Sequence, residues 1–148
     1  MRCTILKRAS QERGAALIET AFVLPLILLV CVSIFEFGRA YQYWQVLTNA
    51  AREGARVAVL PGTTDDAVTS RVQSYLTAGH LSGVSDAAVA IDRNIPISIG
   101  AVTQSASNVT VTYPFEFMVL QRVAQLVVSG STVGAPITMT ASTTMRNE

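Results

Sequence analysis

Residues 12–35 read "ERGAALIETAFVLPLILLVCVSIF", and the rest of the chain is arranged around them. Gly14 closes a basic segment, a lone carboxylate at Glu19 follows five residues later, and Thr20 to Phe35 then carries no charge. Counted from Ala15 the stretch has about 21 residues, and at about 1.5 Å per helical residue it extends roughly 31 Å, the thickness of a bilayer's hydrocarbon core. A membrane-crossing helix is the expectation. Pro25 inside it removes one backbone donor and predicts a bend.

On the N-terminal side, Met1 to Gly14 holds Arg2, Lys7, Arg8 and Arg13 against Glu12. The whole chain has a net charge of +1, so the remainder is acidic. That polarity predicts an N-terminus in the cytoplasm and the bulk of the chain across the membrane. A cleaved secretory signal would have an apolar region of about 7 to 15 residues followed by a small-residue site. Here the apolar run is longer and passes into "EFGRAYQYWQ" with no Ala-x-Ala. A retained anchor is therefore expected, with any cleavage ahead of it, at Gly14.

Composition narrows the function. Half of the residues are hydrophobic (50%) and few are charged (14%), which favours a membrane-anchored protein over a soluble enzyme. About a hundred residues beyond the anchor suffice for one modest domain. Cys3 lies in the leader and Cys31 in the apolar run, so no disulfide framework forms. No basic patch exists outside the leader, and no nucleic-acid partner is expected. His80 is the sole histidine, and the chain has neither a glycine-rich phosphate loop nor a spaced set of metal ligands. Asp65 and Asp66 suit a helix N-terminus better than an acid–base dyad. No catalytic residue, cofactor or metal is expected, and the protein is read as not an enzyme.

On the C-terminal side the helical pattern continues past the membrane edge. Phe35, Phe37, Tyr41, Tyr43 and Trp44 resemble a headgroup-level aromatic belt, and "LTNAAREGARVAVL" is rich in helix formers up to the stop at Pro61-Gly62. One helix over 15–60 would be about 69 Å long. Its outer part has small residues, and at Ala51, Gly54 and Ala55 another element can approach closely. Glu36 with Arg39, and Glu53 with Arg56, stand at i, i+3 and read as solvated or headgroup-level pairs worth a few tenths of a kcal/mol.

The segment "TDDAVTSRVQSYLTAGHL" predicts a second helix, with Thr64 as N-cap, Gly79 as its end, and an inward stripe of Val68, Val72, Tyr75 and Leu76. The period then changes. Val89 and Ile91, then Ile95, Ile97 and Ile99, then Val109, Val111 and Tyr113 alternate as half-buried strands do. Asp92-Arg93-Asn94 is expected to turn between the first two, and Pro96 marks an edge strand. "GAVTQSASN" (100–108) reads as an exposed loop.

"PFEFMVLQRVAQLVVSG" (114–130) reads as a short helix, through Phe117, Leu120, Val123, Ala124 and Val127, that either caps the core or rests on the membrane or another subunit. A terminal strand carries Ile137, Met139, Ala141, Thr143 and Met145. The fold class is α+β: a long N-terminal transmembrane helix continuing into a small domain with a short helix and a mostly antiparallel sheet of three to four strands. The boundaries fall at 1–14 (basic leader), 15–60 (membrane and extended helix) and 61–148 (extracytoplasmic domain).

A basic leader ending in Gly14, the sequence "GAALIE" with Glu19 fifth after that glycine, and a long helix leading to a small β-domain resemble type IV pilin-like proteins. The string from Arg13 to Gly62 resembles the TadE-like family of tight-adherence pilus assembly proteins, and "VTVTYPF" and "ITMTASTTMRNE" extend a weaker likeness to the C-terminus. The resemblance implies a pilin-like outer domain and a prepilin peptidase that cuts between Gly14 and Ala15 on the cytoplasmic side. Glu19 then meets the new N-terminal amine of a neighbouring subunit during assembly. The alternatives for Glu19 are snorkelling to the interface, or pairing with Arg13 before cleavage.

The implied partners are that peptidase, the inner-membrane pilus assembly platform, the major pilin, a related minor pilin and membrane lipid. The implied role is a minor pilin or pseudopilin of the cytoplasmic membrane that enters or primes an adhesive pilus. Thr20 stands where the flp-type pilin pattern has an aromatic residue, and together with the large outer domain this argues against a major pilin. The other reading is an uncleaved signal-anchored envelope protein serving as a binding or assembly module.

Overall fold

The computed structural model describes the backbone of residues 2–100, 102–127 and 129–147, and the side chains of 14–98, 100, 102–125 and 129–147. The side chains of the basic leader, and those of Ile99 and Val127, lie outside the described residues. Seven elements follow in order: α1 (Arg2–Ala58), α2 (Asp65–Ala78), a short 3-10 turn (Val84–Asp86), β1 (Ala88–Ile99), β2 (Val102–Phe115), α3 (Leu120–Val127) and β3 (Ile137–Arg146). The fold is α+β, with one three-stranded antiparallel sheet in the order β1-β2-β3.

The chain divides into two compact units. One comprises residues 1–37 and 118–134, and the other comprises 38–117 and 135–148. Helix α1 contributes to both. It begins upstream of the expected 15–60 span, already at Arg2, and it continues through Pro25.

In the second unit, α1 buries Leu47, Ala50, Ala51, Gly54, Ala55 and Ala58. These positions recur at three- and four-residue steps and make one face. Arg52 and Arg56 point to solvent. The face packs into a core with Val68, Val72 and Leu76 of α2 and with Val109, Val111, Tyr113 and Phe115 of β2. Tyr75, expected on the inward stripe of α2, is instead exposed. It lies one residue before Leu76, about 100° round the helix, and α1 and the sheet fill only the Val68–Val72–Leu76 edge.

Thr64 caps α2 as expected, its hydroxyl accepting from Ala67 N–H at 3.3 Å. Gly79 follows the helix at φ −77°, and the left-handed residue that turns the chain is His80, at φ 58°.

The sheet differs from expectation in two places. Asp92-Arg93-Asn94 is not a turn between strands, since β1 runs unbroken through it as a bulge. Ile91 pairs with Val109, whereas Ile95 pairs with Ala106 and Ile97 with Gln104. One extra residue in β1, accommodated by Asn94 at φ 61°, therefore moves Ile95 and Ile97 to the opposite face from Val89 and Ile91.

Residues 102–108, expected within the exposed loop 100–108, are strand. Ile99 pairs with Val102, so the chain reverses between them, with Gly100 at φ 65°. The polar residues of 103–108 belong to a strand whose side chains meet other polar groups. Ser107 donates to Asn147 Oδ1 at 2.7 Å, and Asn108 Oδ1 accepts from Ser142 Oγ at 2.7 Å. The β1 strand carrying Pro96 is an edge strand, as expected.

Candidate assembly and processing site

In the first unit Gly14 lies within the continuous helical backbone of α1. A Cβ added there would meet nothing within 4 Å, so packing does not require a glycine at this position. Ala15 and Glu19 are exposed on the same helix. Glu19 borders a shallow hollow on the helix surface with Thr20, Val23, Leu24 and Ile27. Thr20 returns its hydroxyl to Ala16 O at 2.8 Å, which satisfies it within the helix. Among the described residues no cation lies against Glu19; Arg13, the alternative partner, has its side chain outside them.

Around this carboxylate the surface is apolar. Leu17, Ile18, Phe22, Leu24, Leu26 and Leu28 are all more than half exposed. A helix that presents such side chains all round is at home only in hydrocarbon or against other apolar helices. Gly14–Ala58 is long and apolar enough to cross a membrane and is compatible with single-pass anchoring.

The small residues of the outer helix face inward, toward their own chain. Ala51 and Ala55 are fully buried in the core of the second unit. At Gly54 a Cβ would lie 2.6 Å from Val72 Cγ2 and 3.1 Å from Val109 Cγ1. Glu53, next to it, is held chiefly by Arg71 of α2, at 2.6 Å, and only at 4.0 Å by Arg56.

Two charged residues read from sequence as solvated have structural roles. Glu36 is fully buried, and its Oε1 accepts the backbone N–H of Val119 at 2.7 Å. Val119 is the residue from which α3 starts, because its carbonyl accepts from Val123 N–H. The sequence entering α3, "FEFMVL", offers no Ser, Thr, Asp or Asn as a cap, and Arg122 occupies the position where a capping-box glutamate would stand. Glu36 takes that part from 83 positions away. A helix start with no local cap was the signal in the sequence.

Arg39, in the second unit, donates to the carbonyl of Glu116. Its guanidinium lies 4.7 Å from the ring centroid of Phe115. Phe115 in turn meets Tyr43 and Phe117 edge-on at 5.4 and 5.1 Å. Tyr43 therefore belongs to this core cluster and not to an aromatic belt, whereas Phe35, Phe37, Tyr41 and Trp44 are exposed.

No cluster of His, Cys, Asp or Glu suited to a metal occurs among the described residues. No curated protein and no solved structure matches the chain. The model of one protein family does match, over residues 14–56, a range that contains Gly14, Ala15, Glu19, Glu36 and the small-residue face of α1. That family is typically non-enzymatic and implies a role in the tight-adherence pilus system. The segment built around Gly14 and Glu19 is similar to that of TadE-like proteins.

Proposed function

We propose that the chain is a minor pilin or pseudopilin of a tight-adherence type IV pilus system, anchored with its N-terminus in the cytoplasm and its 61–148 domain outside. A prepilin peptidase removes residues 1–14, and the processed chain, held in the cytoplasmic membrane, enters or primes the pilus through the assembly platform, the major pilin and a related minor pilin. Gly14 supports this reading, since no packing contact or backbone angle demands a glycine there.

The observation that carries the proposal is Glu19, an exposed carboxylate five residues after Gly14 on an otherwise apolar helix surface. A carboxylate in hydrocarbon costs several kcal/mol unless it is paired. Cleavage would create an ammonium at Ala15, and a neighbouring subunit's Ala15 amine can neutralise Glu19 in only a few helix registers. The pair thereby selects correctly placed neighbours. In cells, Glu19→Ala should leave cleavage intact and abolish incorporation into sheared filaments; normal incorporation of the variant would contradict the proposal.

One observation favours the second reading, an uncleaved envelope module. The Gly14–Ala15 bond is part of a helix that starts at Arg2, so a protease must unwind it first. An uncleaved module would stay with the membrane fraction when surface filaments are sheared and collected.

A further inference from the structure

The first unit joins residues 1–37 to residues 118–134, a segment carrying one charge, Arg122. This segment is closed on itself. Gly134, at φ 77°, comes so near the start of α3 that a Cβ on it would lie 2.6 Å from Gln121 N. The chain therefore enters and leaves the excursion at one place, beside Val119, where Glu36 holds it.

That place is the outer end of the apolar run, for Glu36 is the first charged residue after Phe35. From Ala15 to Leu28 every side chain of α1 is exposed. Over the next two turns Leu29, Val32 and Ser33 become half-buried and Glu36 fully buried, a set at i, i+3, i+4 and i+7 on one face. Within this unit the 118–134 segment meets that face at Glu36, through Val119. Leu29 lies about 10 Å deeper along the helix than Glu36, at about 1.5 Å per residue. Yet the segment also leaves apolar side chains uncovered: Met118 is 60% exposed, Val119 41% and Val133 57%. Val119 is bonded to Glu36, whose chain neighbours Phe35 and Phe37 are exposed too.

We infer that residues 118–134 are a membrane-embedded wedge, seated in the outer leaflet beside the anchor helix, with Met118, Val119 and Val133 in contact with lipid and Glu36 pinning the wedge to the anchor. A wedge that covers α1 from Glu36 down to Leu29 would have the depth of interfacial helices, about 10 Å, and Arg122, exposed on α3, has the reach to snorkel to phosphate headgroups. Continuity with the apolar anchor selects lipid as the occupant over a second protein. The buried carboxylate is thereby explained: it satisfies a backbone donor that the bilayer would otherwise leave unpaired. The inference rests on the reading of 15–35 as a bilayer-spanning segment.

The test uses the full chain, with Cys3→Ser and Cys31→Ser, in vesicles of phosphatidylethanolamine and phosphatidylglycerol. Single cysteines at Leu24→Cys, Met118→Cys, Val133→Cys and Ser70→Cys carry an environment-sensitive fluorophore, and quenching by nitroxide lipids is compared with quenching by aqueous iodide. The labels at 118 and 133 should be quenched by nitroxides near the headgroup end of the acyl chain and be several-fold less sensitive to iodide than the label at 70. A lipid-quenched label at 24 with iodide-sensitive labels at 118 and 133 would overturn the wedge and leave the anchor standing. An iodide-sensitive label at 24 would overturn the anchor and the wedge with it. Protection at 118 and 133 that disappears when the protein is diluted tenfold into lipid would assign the patch to a second copy of the chain and overturn the inference.

Discussion

The Glu36 carboxylate and the Val119 amide, 83 positions apart, form a long-range helix cap at 2.7 Å. It ties the last turn of the apolar run to the start of α3. A hydrogen bond to a charged group contributes about 2 kcal/mol, roughly a thirtyfold change in a local opening equilibrium. Glu36→Ala should therefore raise amide hydrogen exchange over 119–125 by about that factor while leaving β2 and β3 protected. Glu36→Gln keeps an acceptor and should restore part of the protection. Uniform loss of protection across the sheet would contradict a local role.

Arg93 performs the corresponding task in the second unit. Placed on the β1 bulge, it donates to Asp65 Oδ1 at 2.8 Å and to the carbonyls of Ala58 and Thr63, each at 2.9 Å. It thus gathers the end of α1, the connection and the start of α2. Asp65 is largely exposed, so its share of the ion pair is worth at most about 1 kcal/mol. The two carbonyl bonds carry more. Arg93→Ala should lower stability by about 2–3 kcal/mol in denaturant titrations, and Asp65→Asn by less than about 1. Arg93→Lys cannot reproduce three directed bonds and should recover little. Equal losses for Arg93→Ala and Asp65→Asn would contradict this apportionment.

Gly54 separates helix propensity from packing. In an open helix Gly→Ala gains about 1 kcal/mol. Here the new methyl would press on Val72, a stiff β-branched side chain that is fully buried, and on Val109. Overpacking of this kind costs about 1–3 kcal/mol, so Gly54→Ala should be net destabilising. Adding Val72→Ala should relieve the clash, and the double variant should be more stable than the two separate losses predict. Additive losses would mean that the two residues do not touch.

The helical elements were legible in sequence because their cues are local. The apolar run, the Thr64 cap and the Val68–Val72–Leu76 spacing each follow from neighbours within a turn or two. The sheet was legible in its alternation but not in its joints. Asp92-Arg93-Asn94 has turn composition, yet tertiary pairing with β2 on both sides holds it as a bulge, and the polar run 103–108 becomes strand through contacts with Asn147 and Ser142. The site divides in the same way. Gly14 and Glu19 stand out by position in a one-dimensional pattern. Glu36 and Arg39 do not, because what defines them, Val119 and Phe115, lies far along the chain.

The measurement that tests the central claim most directly is the intact mass of the chain purified from its native membrane, with and without the cognate prepilin peptidase. The account predicts loss of residues 1–14, giving a chain that begins at Ala15, only where the peptidase is present. A full-length chain in both membranes would contradict processing, and would leave Glu19 without a neighbouring amine to pair with.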